Sequence, residues 1–308
     1  MGLVFHNGKF VPEQNIQKST EASEVLRKLR AFLDKNEPGL VRLLVNMWRS
    51  QGKAITYKEL REAILAGEIS LELLEEWQQD YSRFVAKEML PAWEKAIETA
   101  ATELEQKYPQ WYFDPMGDGV REWTKSHSAE FVTNVTSTQI EGLRAVVRRA
   151  AVLEDINVDQ LARIIRPMVG LTWQQTGANL NYYKTLIDGG TSEKRALDLS
   201  IRHASRLHRS RAYTIARTEL ATAYNNGAYI GVRQAQAAGY MGETVKIWST
   251  ADDERVCPTC GALEGKTVAM DEEFGGASAS WSTKLTAPCH PGCRCAIIYK
   301  EIAPPIPK

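Results

Sequence analysis

Apolar residues recur at three- and four-residue intervals along most of this chain, and at two-residue intervals only near its end. Residues 1–18 follow neither period and read as an extended arm. From Ser19 to about Gly239 the helical spacing dominates. Leu26, Leu29, Phe32 and Leu33 share one face, as do Leu43, Leu44 and Met47. The longest regular run starts behind Gly67 at Ser70, a residue suited to capping a helix amino terminus. It carries Leu74, Trp77, Tyr81, Phe84, Trp93, Ile97, Ala100, Leu104 and Tyr108, an aromatic stripe suited to core packing. Pro91 lies inside this run and predicts a kink or a split, because proline lacks the amide proton a helix interior needs.

The helical pattern stops at Tyr108–Asp118, where Pro109, Pro115, Gly117 and Gly119 punctuate a loop holding Trp111, Tyr112 and Phe113. Helices are expected to resume near Ser128. Another follows Asn157, whose spacing to Gln160 resembles a capping box. Gly189 and Gly190 break the pattern, and Thr191 is suited to cap the next helix. After Gly239 the period shortens: Thr244–Trp248 and Ala296–Tyr299 alternate as strands do, with a Gly/Ser-rich loop, Gly275–Ser282, between them. These changes divide the chain into an extended arm (1–18), an amino-terminal helical region (19–110), a helical body (120–240), a small β-containing subdomain (241–300) and a proline-rich tail (301–308). The tail is suited to lie in a groove on a partner. The fold class is mainly α with a small C-terminal α+β subdomain.

Composition narrows the functional classes. Among 308 residues, 44% are hydrophobic and 25% charged, which excludes wholesale disorder. No apolar run is long enough for a membrane span, and no secretion signal is visible in Met1–Lys18. Lys plus Arg and Asp plus Glu both number 38, so any nucleic-acid contact must be local. Residues 59–105 hold 12 acidic against 4 basic side chains, either a solvated helix face or a surface for a basic partner.

On the helix expected after Thr191, Arg195, Arg202, Arg206 and Arg209 fall in one stripe, with Leu197, Ile201, Ala204 and Ile215 opposite. The stripe is either an exposed basic face or a set of forks for the phosphates of double-stranded DNA. If the helix continues without a break near Ser210, Glu219, Thr222 and Asn226 extend the buried face and need polar partners. A network of Arg217, Glu219, Asn226 and Arg255 then joins this helix to the C-terminal segment, with Arg255 or Arg294 as the mate of Glu219. His208 falls on the inner half of the helix and His203 on its flank, positions suited to structural histidines.

All five cysteines lie in the last part of the chain. Cys257-Pro-Thr-Cys260-Gly is a knuckle that turns two thiolates toward one cation, and Cys289-His290-Pro-Gly-Cys293-Arg-Cys295 offers the second half. Four-coordinate Zn2+ needs two ligands from each half. His290 with Cys293 repeats the two-residue gap of the first knuckle, Cys295 is a close alternative, and Cys289 comes last. The candidate metal ligands are therefore Cys257, Cys260, His290, Cys293 and Cys295. The competing reading is reduced thiols without metal, or a disulfide that forms after lysis. The zinc is expected to be structural, and because the lobe has a thin core, the ion contributes much of its folding free energy. The deaminase, metalloprotease, nucleophile-elbow and P-loop signatures are absent from the sequence.

Ile215-Ala-Arg-Thr-Glu219, Asn226-Gly227, Trp248, Asp253-Glu-Arg-Val-Cys257-Pro-Thr-Cys260, Leu263-Glu-Gly-Lys266 and His290-Pro-Gly-Cys293-Arg-Cys295, in this order, resemble the minor head proteins of tailed phages, the phage Mu F-like head morphogenesis family. The resemblance covers about residues 140–300. It implies a non-enzymatic virion component associated with the portal protein, alongside scaffold and major capsid protein, in procapsid assembly and DNA packaging or delivery. It also implies a location in the virion interior, and in the host cytoplasm during assembly. Some relatives bind DNA. The family pattern marks Cys257, Cys260, His290, Cys293 and Cys295 and leaves Cys289 outside. The alternatives are a DNA-binding module acting through the arginine stripe and a zinc-dependent hydrolase or nuclease.

Overall fold

The computed structural model describes residues 3–6, 9–12, 20–150, 158–251, 253–275 and 284–305. The chain divides into two compact units, each assembled from distant segments. The first comprises Met1–Asn36, Trp93–Val120 and Arg217–Lys308, the second Glu37–Ala92 and Arg121–Ala216. The described elements are mostly helical, with one small three-stranded sheet, so the fold is mainly α with an α+β lobe at the C-terminal end. None of the described helices is long and apolar enough to cross a membrane.

The second unit holds α2 (Tyr57–Ala66), α3 (Leu71–Phe84), α7 (Val158–Ile165), α8 (Trp173–Asp188) and parts of α1 (Thr20–Ala54), α6 (Asp118–Ala150) and α9 (Glu193–Ala237). Its core gathers Leu60, Ile64, Trp77, Leu143, Val147, Leu161, Ile165, Leu180 and Ala204. Local chemistry sets the helix ends. Ser70 Oγ accepts the Leu73 amide at 3.2 Å, as the sequence predicts. Thr56 and Glu59 form a reciprocal capping box ahead of α2.

Within this core a polar chain is closed by aromatic side chains. Trp48 Nε1 donates to the Tyr81 hydroxyl at 2.8 Å, Tyr81 donates to Gln139, and Gln139 Nε2 donates to Gln51 at 3.3 Å. Burial pushes the Tyr81 hydroxyl up to about 12. The Arg211 guanidinium sits 5.1 Å from the Trp48 ring centroid and donates to the Gly170 carbonyl. His208 Nε2 bonds the neighbouring Val169 carbonyl at 2.8 Å, and burial lowers its imidazole to about 4. Gly170 has φ +91°, and a Cβ there would come within 2.4 Å of the Trp48 ring.

In the first unit the amino-terminal arm is a hairpin, with β1 (Leu3–His6) antiparallel to β2 (Lys9–Pro12). The carboxyl-terminal part of α9 runs beside α4 (Leu90–Ala101), which the short α5 (Glu103–Lys107) follows. A Cβ at Gly227 would lie 2.4 Å from the Ile97 carbonyl oxygen, so the helices approach closely only because that position is glycine. The sheet has the order β4-β3-β5, from β3 (Thr244–Ser249), β4 (Thr267–Ala269) and β5 (Ala296–Glu301), all antiparallel. The strands expected at Thr244–Trp248 and Ala296–Tyr299 are β3 and β5. The short β4 carried too few residues to show a period. Lys246 of β3 is fully buried. Its ammonium donates to the carbonyls of Glu272 at 2.6 Å and Leu285 at 2.9 Å, between the Tyr229 and Phe274 rings.

The structure decides several local expectations and corrects others. The helix expected near Ser128 begins at Asp118, whose carboxylate suits the positive end of the helix dipole. α9 is unbroken at Ser210, and it starts at Glu193, which puts Ser192 rather than Thr191 next to its first turn. Pro91 splits the long run through a widened turn, Val85–Met89, in which the Leu90 amide bonds the Val85 carbonyl. Ile201, expected opposite the arginines and inward, is 38% exposed. The Asn157 cap and most of the Gly275–Ser282 loop lie outside the described residues.

Candidate metal centre

Two turns at one end of the small sheet bring the sulfurs together. In the first, Cys257 caps the short helix α10 (Pro258–Gly261), and its Sγ accepts the Cys260 amide at 3.4 Å. Proline at the first helical position fixes the turn that aims both side chains the same way. In the second, Gly292 takes φ +74°, and the Cys293 amide bonds back to the His290 carbonyl at 3.2 Å. The two turns then meet. Cys260 Sγ lies 3.6 Å from Cys289 Sγ, 3.7 Å from Cys293 Sγ and 3.1 Å from His290 Nε2.

These separations suit one tetrahedral cation. Zinc–sulfur bonds near 2.3 Å set sulfurs about 3.7 Å apart. One ligand atom from each of Cys260, Cys289, His290 and Cys293 falls within 4.8 Å of all the others. With His290 Nδ1 donating to the Pro291 carbonyl at 2.9 Å, Nε2 carries the lone pair and faces the Cys257 and Cys260 sulfurs at 3.2 and 3.1 Å. Hydrogen bonds from Cys260, Cys289 and Cys295 hold the Cys293 thiol far below its ordinary value, whereas contact with Cys260 and Cys293 drives Cys289 upward. The donor set thus fits a soft or borderline cation, and these four residues would hold it.

The quartet groups the candidates differently from the order expected on spacing. Cys289, placed last from its spacing, stands inside the quartet, while Cys257 touches it through His290 at 3.2 Å. Cys295 is buried beside Cys260 and Cys293 but stands outside the four. Spacing along the chain favoured the two-residue gap. The backbone path through Pro288 and Gly292 instead turns adjacent residues, Cys289 and His290, toward the same point.

α9 anchors the second turn. The Thr218 hydroxyl accepts the Gly292 amide at 2.9 Å. Buried Asn225 accepts the Ile297 amide at 3.2 Å and donates toward the Cys295 carbonyl at 3.5 Å. Arg294 grips Asp253 with both terminal guanidinium nitrogens at 2.5 Å, and Arg255 adds its backbone amide at 3.0 Å and its side chain at 3.3 Å, holding the Asp253 carboxyl well below the usual range. Of the expected network, Arg217 and Glu219 are half-buried on this helix. Arg255 and Arg294 both reach Asp253. Asn226 Nδ2 donates to the Thr222 carbonyl of its own helix at 2.9 Å, and Asn225 one position earlier makes the link to β5. Nothing in the sequence distinguished these two asparagines except their phase on an unbroken helix. Thr218 and Asp253 gave no signal beyond lying within the quoted motifs.

Arg195, Arg202, Arg206 and Arg209 are all exposed, in the other compact unit. His203 bonds Asn179 at 2.8 Å and leans on the Tyr182 ring, so it is satisfied structurally, as is His208.

Sheet, metal site and anchoring helix define a helical protein with a C-terminal lobe tied by a Cys/His cluster. Residues 149–298, just under half of the chain, match the family described as Phage Mu protein F like protein. The match spans α7 to β5, including α9 and the whole Cys/His cluster. The match and the motifs of the sequence point to the same family. No curated protein and no solved structure matches it.

Proposed function

We propose that this chain is a minor head protein that associates with the portal and acts, without catalysing a reaction, in procapsid assembly and DNA packaging or delivery. Scaffold and major capsid protein are its further neighbours. It works in the host cytoplasm during assembly and in the virion interior afterwards. The observation that carries this reading is the lock between the family's helix and its cysteine turns: Thr218 and Asn225 of α9 hold the segment that presents Cys289, His290 and Cys293. A structural Zn2+ in that cluster supplies cohesion to a lobe whose sheet has only three strands. Four protein donors fill a tetrahedral shell, which supports a structural over a hydrolytic role. Such a lobe is a rigid surface for docking.

The test is co-expression with the portal protein of the same genome, followed by affinity capture of the portal ring. Co-purification in fixed stoichiometry, abolished by Cys293→Ser, is the expected result. A ring recovered without this chain, while the chain itself is folded and metal-loaded, overturns the proposal.

A further inference from the structure

The second unit carries two helix faces of opposite charge. On α9, Arg195, Arg202, Arg206 and Arg209 lie within about 60° of one another along about 21 Å of helix, with Asp198 at the edge. Tyr213, 47% exposed, continues the same sector. On α3, Glu72, Glu75 and Glu76 are exposed on the side opposite the buried Trp77, Tyr81 and Phe84. Glu68 lies in the turn before them. Leu65 and Leu71, 69% and 73% exposed, flank that turn. Among the described residues, none of these four arginines and none of Glu68, Glu72, Glu75 and Glu76 makes an ion pair.

We propose that the arginine face of one copy docks on the acidic, leucine-flanked α3 face of a second copy. Positive and negative residues balance at 38 each, yet here they are segregated on separate helices. Charges that find no partner within one molecule find them between molecules. Duplex DNA would use the arginines alone and leave the acidic face and its two exposed leucines without a role. A second copy uses both, matching charge to charge and giving the leucines apolar cover. Because the two faces differ, the contact is head-to-tail, and repetition yields a closed ring or an open filament. Exposed ion pairs contribute little individually and are screened by salt, so the contact is weak for free chains and strengthens where copies are already gathered. The contact belongs to the isolated chain and holds or fails independently of the head-assembly role.

The test is sedimentation of the full-length chain at rising concentration in low and high salt. The weight-average mass should climb above the monomer's 34.5 kDa in low salt and return to it in high salt. Arg202→Glu/Arg206→Glu and Glu72→Lys/Glu76→Lys should each remain monomeric. Mixed, they should assemble again beyond the monomer, since the native contact and the charge-swapped contact are both complementary. All four substitutions in one chain should restore assembly. A wild-type chain that stays monomeric in low salt overturns the proposal without reference to any variant. A mixture that stays monomeric while both variants show native melting also overturns it. Retained assembly with lost DNA retention in the arginine variant overturns it too, and assigns the stripe to DNA.

Discussion

Asn225 and Ile297, 72 residues apart, are joined by a buried hydrogen bond of 3.2 Å from the strand amide to the helix side chain. The same side chain donates to the Ala221 carbonyl of its own helix at 2.9 Å, so its amide is oriented before the strand arrives. α9 thereby fixes the register of β5, and with it the position of the cysteines just before that strand.

Asn225→Leu should remove this link and leave the Ile297 amide buried without an acceptor, at a cost of about 1–3 kcal/mol. Asn226→Leu should cost less, because its bond stays within the helix. Urea unfolding of both variants compares the midpoints directly. Equal losses would count against the assignment.

Metal removal should act on the C-terminal lobe. One equivalent of zinc per chain is expected by elemental analysis, and a strong chelator should abolish the melting of that lobe. Competition titration should show Cys289→Ser weakening zinc binding roughly tenfold or more, and by more than Cys257→Ser does. The reverse order would return Cys257 to the quartet.

Acid should weaken the second unit through His208. Its folded value, about 4, lies below the ordinary 6.5, so the unfolded chain binds the proton more readily. The stability from keeping this imidazole neutral is complete above about pH 6.5 and is lost as pH falls toward 4, by at most about 3 kcal/mol. His208→Gln keeps a donor for the Val169 carbonyl and removes the titration. The wild-type and variant stability curves should therefore converge as pH falls through this window. Parallel curves would show that His208 does not titrate there.

Two glycines should respond in opposite directions. Gly170→Ala meets both a positive φ and the Trp48 ring, and should destabilise by about 1–3 kcal/mol or more. Gly177, inside α8, has nothing within 4 Å of an added Cβ, so Gly177→Ala should stabilise by about 0.5–1 kcal/mol. Thermal melting of the two variants separates open helical space from a filled turn.

The helices and the strands β3 and β5 were legible because each carries its own period, and the Ser70 cap because its chemistry is local. The family was legible because the motif residues keep their order along the chain. The ligand quartet was less so. Cys260, His290 and Cys293 follow from knuckle spacing, but Cys289 enters only through the path of the backbone around it. The start of α6 at Asp118 was hidden by the prolines and glycines just before it, which mark a turn without saying how soon a helix follows.

By itself the sequence determined a largely helical chain, a change of period after Gly239, and a Cys/His chemistry suited to one soft cation, because periodicity and ligand type are properties of neighbours along the chain. Only the tertiary structure decided which four donors converge, that Asn225 rather than Asn226 reads the last strand, and that Arg294 closes on Asp253. Those choices depend on the phase of a long unbroken helix and the direction of two turns. Both are set by packing between segments far apart in sequence.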